Sequence, residues 1–455
     1  MERAISDQIP TRRILLSPCD YHFLVIQHST TRRHSSSEVS FVTLEFKGHP
    51  VGSRLKAALR RAMTDNPATF GRIGYTLPRA RPYWQIDRVD DPAQAAYRYH
   101  DFRERNDWPD CVHEGIGRAI NTAWDFSRPP LIRLDHFDGP AGRACLCMQW
   151  PHALMDAEGA HLFLRELSRL ADAPDSPRPA GLLSLQQRND PLDGQSLVQR
   201  LKLFRAGMKA HSRTNGLPAK RLPIGPPDGP SPYRYTVRLG GAEDFERIKA
   251  NARRFAPPGA GLYARFLAAC VLRALHRLYR RHNVDTPNYL LAFPSGINAP
   301  GSPRTVTGNY VVVYTIAAGA NQVEDMNGLG EHIQKQVAGF REPHAGRDQW
   351  AMFWMAGQMR PWQYRRLMWT SMGNTRVHSG FAYYQADTDP PWRHLAGAEI
   401  EGVRLGGVVM SSPGWNAVFC RYRERMVFNL SWVSGCCQEH MATEYADLVA
   451  EEALQ

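Results

Sequence analysis

An almost unbroken apolar run, Ala144 to Trp150 (ACLCMQW), is followed directly by Pro151. Its length and its Cys, Leu, Met and Trp content predict a buried strand, which Pro151 ends because proline cannot go on donating to a ladder. Beyond it, Ala160, Phe163, Leu164, Leu167 and Leu170 recur at helical spacing. The pattern predicts strand, tight loop, helix. Upstream, Ser40 to Lys47 sets Phe41, Thr43 and Glu45 against Val42, Leu44 and Phe46, as a half-exposed strand would. Gly48-His49-Pro50 turns the chain, and Leu55, Ala58, Leu59 and Ala62 share one face of a helix predicted over Val51 to Asp65, stopped by Asn66-Pro67. Ile14 to Gln27 reads as a buried leading segment. Leu131 to His136 and Arg143 to Trp150, on either side of Asp138-Gly139-Pro140-Ala141-Gly142, predict a β-hairpin.

After Leu170 the pattern changes. Ala173 to Pro232 is rich in proline, glycine and charge around one helical stretch, Leu192 to Ser212, and reads as a crossover between two domains. The predicted division is therefore 1–175, 176–232 as linker, and 233–455. In the last part Tyr233 to Leu239, Tyr289 to Pro294, Val311 to Ala317, Gly406 to Phe419 and Arg425 to Val433 have strand character. Glu243 to Arg254, Tyr263 to Tyr279 and Glu439 to Leu454 are helical.

With 455 residues and 43% hydrophobic content, the chain can bury two cores of ordinary size. MERAISDQIPTRR has no apolar leader core, and no run of about eighteen apolar residues follows, so neither secretion nor a membrane span is expected. The eight cysteines form no C-x-x-C and no regular framework, which fits free thiols in a reducing cytoplasm. The formal charge of +12 is spread through doublets such as Arg12-Arg13, Arg280-Arg281 and Arg365-Arg366. Such spacing argues against a nucleic-acid patch. It suits either solvated faces or attraction to phosphates or an acidic carrier protein.

The candidate chemistry lies in the loop after the buried strand. His152 stands just past the strand end, with Asp156 four residues on and Glu158-Gly159 opening the helix. An imidazole held between rigid elements is suited to take a proton from a hydroxyl or amine. The aspartate can lock the loop through hydrogen bonds or an arginine partner. A metal reading with His152, Asp156 and His161 is disfavoured: His161 belongs to the helix, and no Cys/His set of zinc spacing accompanies it. No metal is expected.

Pro151-His152-Ala153-Leu154-Met155-Asp156-Ala157 resembles the HHxxxDG signature of the acyltransferase superfamily that includes chloramphenicol acetyltransferase, peptide-synthetase condensation domains, plant alcohol acyltransferases and wax ester synthases. Pro151 replaces the first histidine, which the plant branch also lacks, and Ala157 replaces the glycine. Leu16-Ser17-Pro18-Cys19-Asp20 with the strand, turn and helix that follow it, and Asp125 to Arg133 (DFSRPPLIR), resemble further passages of that family. The resemblance implies an α/β fold of two chloramphenicol-acetyltransferase-like subdomains, each a mixed sheet with flanking helices, enclosing an interdomain tunnel. It also implies that 1–175 and 233–455 are the N- and C-terminal acyltransferase subdomains, with His152 as the general base. Arg304 is the implied partner of Asp156, and Asn309 and Ser379 are oxyanion or tunnel candidates. The competing readings are an exposed loop arginine at 304 and a turn residue at 309.

Asp348 to Met372 is dense in Trp and Met. It reads as a core helix broken at Pro361, as an apolar lining for an acyl chain, or as an interfacial docking helix giving weak peripheral membrane contact. The function implied is transfer of an acyl group from acyl-CoA or an acyl-carrier protein to an alcohol, in secondary or lipid metabolism, with no tightly bound cofactor. Alternatives are a free-standing condensation enzyme that joins a carrier-bound donor to an amine acceptor as an amide, and an inactive relative that acts as a binding module.

Overall fold

The computed structural model describes residues 12–33, 39–76, 81–87, 89, 91–175, 190–222, 231–255, 259, 261–297, 304, 307–339, 346–374, 376–386, 392–409 and 414–455. Thr305, Val306 and the parts of the crossover at 176–189 and 223–230 lie outside them. The first half runs β1 (Arg12–Leu15), α1 (Pro18–Arg33), β2 (Val39–Lys47), α2 (Gly52–Asp65), β3 (Arg72–Thr76), β4 (Arg81–Ile86) and α3 (Pro92–Ala96). It continues with β5 (Tyr97–Asp101), α4 (Trp108–Ile120), β6 (Arg133–Asp138), β7 (Arg143–Pro151), α5 (Ala157–Asp172) and, in the crossover, α6 (Leu197–Asn215). The second half begins with β8 (Tyr233–Arg238), α7 (Ala242–Phe255), α8 (Leu262–Arg281), β9 (Asn288–Gly296), β10 (Val311–Gly319), α9 (Ala320–Glu324) and α10 (Met326–Ala338). It ends with α11 (Arg347–Ala356), α12 (Pro361–Asn374), β11 (Ser379–Gln385), β12 (His394–Leu395), β13 (Ala398–Gly406), β14 (Trp415–Tyr422), β15 (Arg425–Val433) and α13 (Glu439–Leu454).

Two six-stranded mixed sheets organise these elements, in the orders β12-β13-β2-β7-β6-β5 and β10-β9-β11-β14-β15-β8, with a small sheet β1-β4-β3 beside the first. The predicted hairpin is present, with β6 and β7 antiparallel and Arg133 opposite Gln149. The helix over the Val51 to Asp65 window is present too, burying Leu55, Ala58, Leu59 and Ala62 together with Met63. Each sheet carries its own core. One core gathers Trp84, Trp150, Leu146 and Phe163, and the other gathers Trp415, Phe419, Phe428 and Tyr445 beneath α8 and α13.

Two sequence expectations gain detail and one changes. The leading segment, read only as buried, is a short strand followed by the helix α1. The Trp/Met-rich stretch is broken before Pro361 as expected, into α11 ending at Ala356 and α12 starting at Pro361; the side chains of 368–375 lie outside the described residues. Finally, β2 is buried along most of its length rather than half-exposed. Its nominally polar face is covered by the other lobe, where Phe41 meets Tyr235 and Tyr233 of β8 at centroid separations of 5.4 and 6.3 Å. Alternation reports exposure only within one sheet, and here a second sheet lies on top.

The second half also lends two strands to the first sheet. β12 and β13 come from the second half yet complete the first sheet, with Val403 opposite Leu44 and Leu405 opposite Val42. Removing them would leave β2 as a long apolar edge, which invites aggregation. A fragment of residues 1–175 expressed alone is therefore expected to precipitate or give a collapsed NMR spectrum, and co-expression with 176–455 to restore solubility. A dispersed monomeric spectrum from the fragment would contradict the need for these two strands.

Candidate active site

His152 follows β7 and opens a loop whose backbone is fixed from inside. The Leu154 N–H donates to the Pro151 carbonyl at 2.9 Å, and the Trp150 indole N–H donates to the Met155 carbonyl at 2.8 Å. Ala153, Leu154 and Met155 are buried, so the loop is anchored by apolar side chains while His152 keeps partial exposure. Phe23 of α1 stacks on the imidazole with ring centroids 3.8 Å apart and planes inclined by 21°. That face of the ring is therefore dry.

From the second half, the Asn309 amide donates to the His152 carbonyl at 2.9 Å and to Asp20 at 3.0 Å. His152 Nδ1 is buried without a well-aligned hydrogen-bond partner, as is Asn309 Oδ1. Burial lowers the His152 pKa, opposed by the charge of Asp156, by its own carbonyl, by the Asn309 side chain and by Asp20. Burial wins, and the ring is neutral near pH 7. With Nδ1 enclosed, Nε2 is the nitrogen left to do chemistry.

Asp156 caps α5. Its carboxylate accepts from the Gly159 N–H at 2.9 Å, from Arg304 at 2.6 Å and from the Tyr310 N–H at 2.9 Å. A carboxylate on the first turn is where the helix dipole favours one. The Asp156 N–H in turn donates to the Gly308 carbonyl at 3.0 Å, and Arg304 also donates to that carbonyl. Arg304 is only 3% exposed, with Glu158 at 3.6 Å as a second counter-charge. Burial works against the guanidinium's charge, but Asp156 and Glu158 outweigh it and raise its pKa.

The loop before β10 is thereby bolted onto the loop after β7. Thr307 adds a bond to Asn66 at 3.2 Å. Gly308 has φ of 138°, a conformation open to glycine. A Cβ on Gly159 would lie 2.9 Å from the Gly308 carbonyl oxygen, so the close approach needs glycine there. Ala157, where the family signature has glycine, is the first residue of α5 and is not among the residues of positive φ.

His152, Asp156, Arg304 and Asn309 thus converge on one seam. Ser379 stands apart: it is fully buried at the start of β11, and its hydroxyl donates to the Gly380 carbonyl at 2.8 Å. His161 turns to Trp392 and Tyr384, at centroid distances of 5.3 and 5.8 Å. Among the described residues no group of three or more His, Cys, Asp or Glu is disposed to hold a metal. Two hollows lie elsewhere, about 660 Å³ beside Arg281 and α13 and about 120 Å³ around Arg404. Neither is lined by His152 or its neighbours.

Sequence reasoning missed the contribution of α1. Phe23 covers the His152 imidazole, and next to it His22 stacks on Phe353 with centroids 4.4 Å apart and meets the Tyr364 hydroxyl through Nδ1 at 2.5 Å. The only signal was the three consecutive rings, Tyr21, His22 and Phe23, directly after Leu16 to Asp20.

No family model matches the sequence, and no curated protein matches it by sequence. Solved structures do match by shape. The first condensation domain of the calcium-dependent antibiotic synthetase, bound to a substrate analogue, aligns over 98% of this chain and 97% of its own, with a TM-score of 0.74 and 14% identity. A trichothecene 15-O-acetyltransferase from Fusarium sporotrichioides aligns over 98% and 94%, with a TM-score of 0.68 and 11% identity. The starter condensation domain of rhizomide synthetase, solved with C8-CoA and Leu-SNAC, aligns over 97% and 95%, with a TM-score of 0.67 and 12% identity. The chain has their two-lobed α/β fold across nearly its whole length.

Because Arg304 is enclosed, Asp156→Asn leaves a buried cation without its main counter-charge. A loss of about 3–5 kcal/mol in unfolding free energy is expected from urea titration. Gly159→Ala should also destabilise, by forcing α5 off Gly308. Unchanged midpoints in both would remove the bolt from the account of the site.

Proposed function

We propose that the protein is an acyltransferase that moves an acyl group from a thioester, on coenzyme A or a carrier protein, to an alcohol, with His152 as general base. The observation that carries this reading is a neutral imidazole at the seam of two lobes, its Nδ1 buried, its face covered by Phe23 and its carbonyl held by Asn309. The acceptor O–H gives its proton to Nε2 as the oxygen attacks the thioester carbon. The tetrahedral intermediate then expels the thiolate, which takes the proton back from Nε2, and ester and thiol leave. A seam that orients both substrates supplies much of the remaining acceleration through proximity. Asp156 and Arg304 take no part in proton transfer; they position the loop.

The donor class has support from charge. On α6, Lys202, Arg205, Lys209 and Arg213 lie exposed on a helix that contains no carboxylate. Such a stripe attracts coenzyme A phosphates or an acidic carrier. Amide formation is the second reading, supported by the overall match to condensation domains. The same base serves it, since an amine nucleophile loses a proton in the same way.

His152→Ala is expected to lower kcat by about 10²- to 10⁴-fold, the usual worth of a positioned base, with unchanged far-UV circular dichroism. Product formation from acetyl- and octanoyl-CoA with a panel of alcohols and amines, followed by mass spectrometry, separates ester from amide chemistry. The pH profile has a defined sign. A lowered pKa keeps His152 in its basic form further into acid, so the acid limb of kcat/KM should have its midpoint below the ordinary histidine value of 6.5. A midpoint above that value would argue against His152 as the titrating base.

A further inference from the structure

Attack on a thioester places negative charge on the former carbonyl oxygen, and an acyltransferase gains most from a fixed donor aimed there. The residues already described do not provide one. Asn309 has both amide protons engaged, on the His152 carbonyl and on Asp20. Ser379 is buried with its proton on the Gly380 carbonyl.

We propose that His22, held by Tyr364 as the Nε2–H tautomer, donates the hydrogen bond that stabilises this oxyanion. The inference rests on the acyl-transfer reading above. Its basis is the short contact of 2.5 Å between His22 Nδ1 and the Tyr364 hydroxyl. One of the two must donate. Tyr364 is 2% exposed, and among the described residues its hydroxyl meets no other acceptor. The phenol proton therefore points at Nδ1, Nδ1 accepts, and in the neutral ring the remaining proton sits on Nε2.

Burial, with a smaller contribution from the neighbouring His152, lowers the His22 pKa to about 3. Burial also raises that of Tyr364 far above the ordinary phenol value. Both groups therefore stay uncharged near neutrality.

The placement suits the role. His22 and Phe23 are consecutive on α1, and Phe23 is the ring stacked 3.8 Å from the His152 centroid. The His22 ring lies against Phe353 at 4.4 Å and edge-on to Phe23 at 5.6 Å. It is thus a rigid part of the same apolar wall. His22 is only partly buried, and among the described residues Nε2 makes no hydrogen bond. A neutral imidazole N–H in a dry wall is an effective donor to developing charge, because little reorientation is needed when the charge appears. In the balanced step, the acceptor proton moves to His152, the C–O bond forms, and the carbonyl pair becomes the oxyanion that accepts from His22 Nε2–H. On collapse the C–S bond breaks and the thiolate takes the proton from His152. His22 keeps its own proton throughout.

The test combines kinetics with a readout that needs no turnover. His22→Phe should lower kcat for acetyl- or octanoyl-CoA by about 10²- to 10³-fold while KM for the thioester and the melting temperature stay near wild type. His22→Gln, which restores an N–H, should recover part of the loss, and Tyr364→Phe, which releases the tautomer, should show a smaller one. ¹⁵N-histidine NMR of the full chain should place the His22 proton on Nε2 throughout the neutral range. If His152→Ala is inactive while His22→Phe turns over at the wild-type kcat, or if the proton is found on Nδ1, this inference fails and the acyl-transfer reading stands. If His152→Ala itself transfers at the wild-type rate, both fall.

Discussion

The structure depends on one enclosed charge pair across the seam, Asp156 on the loop of one lobe and Arg304 on the loop of the other. Such a pair is a poor source of net stability, because desolvating two ions offsets most of their attraction. Its value is registration. Asp156 accepts three hydrogen bonds, from Arg304, Gly159 and Tyr310, and its own N–H reaches the Gly308 carbonyl. Four directional bonds on one residue allow one mutual placement of the two loops. A hydrophobic contact of equal area would tolerate sliding.

That registration reaches the reactive ring through Asn309, one residue after Gly308. With Gly308 fixed against α5, the Asn309 amide falls between the His152 carbonyl and Asp20. His152 is thus held by its backbone, and its ring is left to be shaped by Phe23 and by burial. The separation matters, because a carboxylate accepting a strong hydrogen bond from Nδ1–H would raise the pKa of the ring. Here Asp156 is turned away to Arg304, and burial prevails. Asp156 therefore acts as a structural residue in a motif whose spacing alone is compatible with a catalytic dyad.

Much of this was readable in the sequence. The run from Ala144 to Trp150, its stop at Pro151 and the periodicity from Ala160 to Leu170 placed the strand, loop and helix around His152, because each is a local signal. Arg304 and Asn309 lie far from His152 along the chain, and periodicity says nothing about them; only likeness to other sequences suggested their positions. Ser379 shows the weakness of that route. The wall formed by α1 was hidden for another reason. Tyr21, His22 and Phe23 are consecutive, and whether such rings pack inward or line a site depends on α11 and α12, more than three hundred residues on. β2 was misread on the same ground, since its polar face is covered by β8 of the other lobe.

Two imidazoles on one wall, separated by the Phe23 ring, receive opposite assignments from their surroundings. For His152 to accept at Nε2 its own proton must sit on the enclosed Nδ1, where the residue's own carbonyl favours it. His22 has a phenol on its Nδ1, so its Nε2 carries a proton and can only donate. Both are neutral for the same reason, burial against aromatic rings, and that shared cause prevents the two from competing for one proton. A charged His22 would oppose the positive charge that His152 acquires on taking the acceptor proton, whereas a neutral His22 does not. The apolar wall built by Phe23 and Phe353 is thus what separates a proton acceptor from a hydrogen-bond donor of identical chemistry, with the bolt at Asp156 keeping the wall and the loop in register.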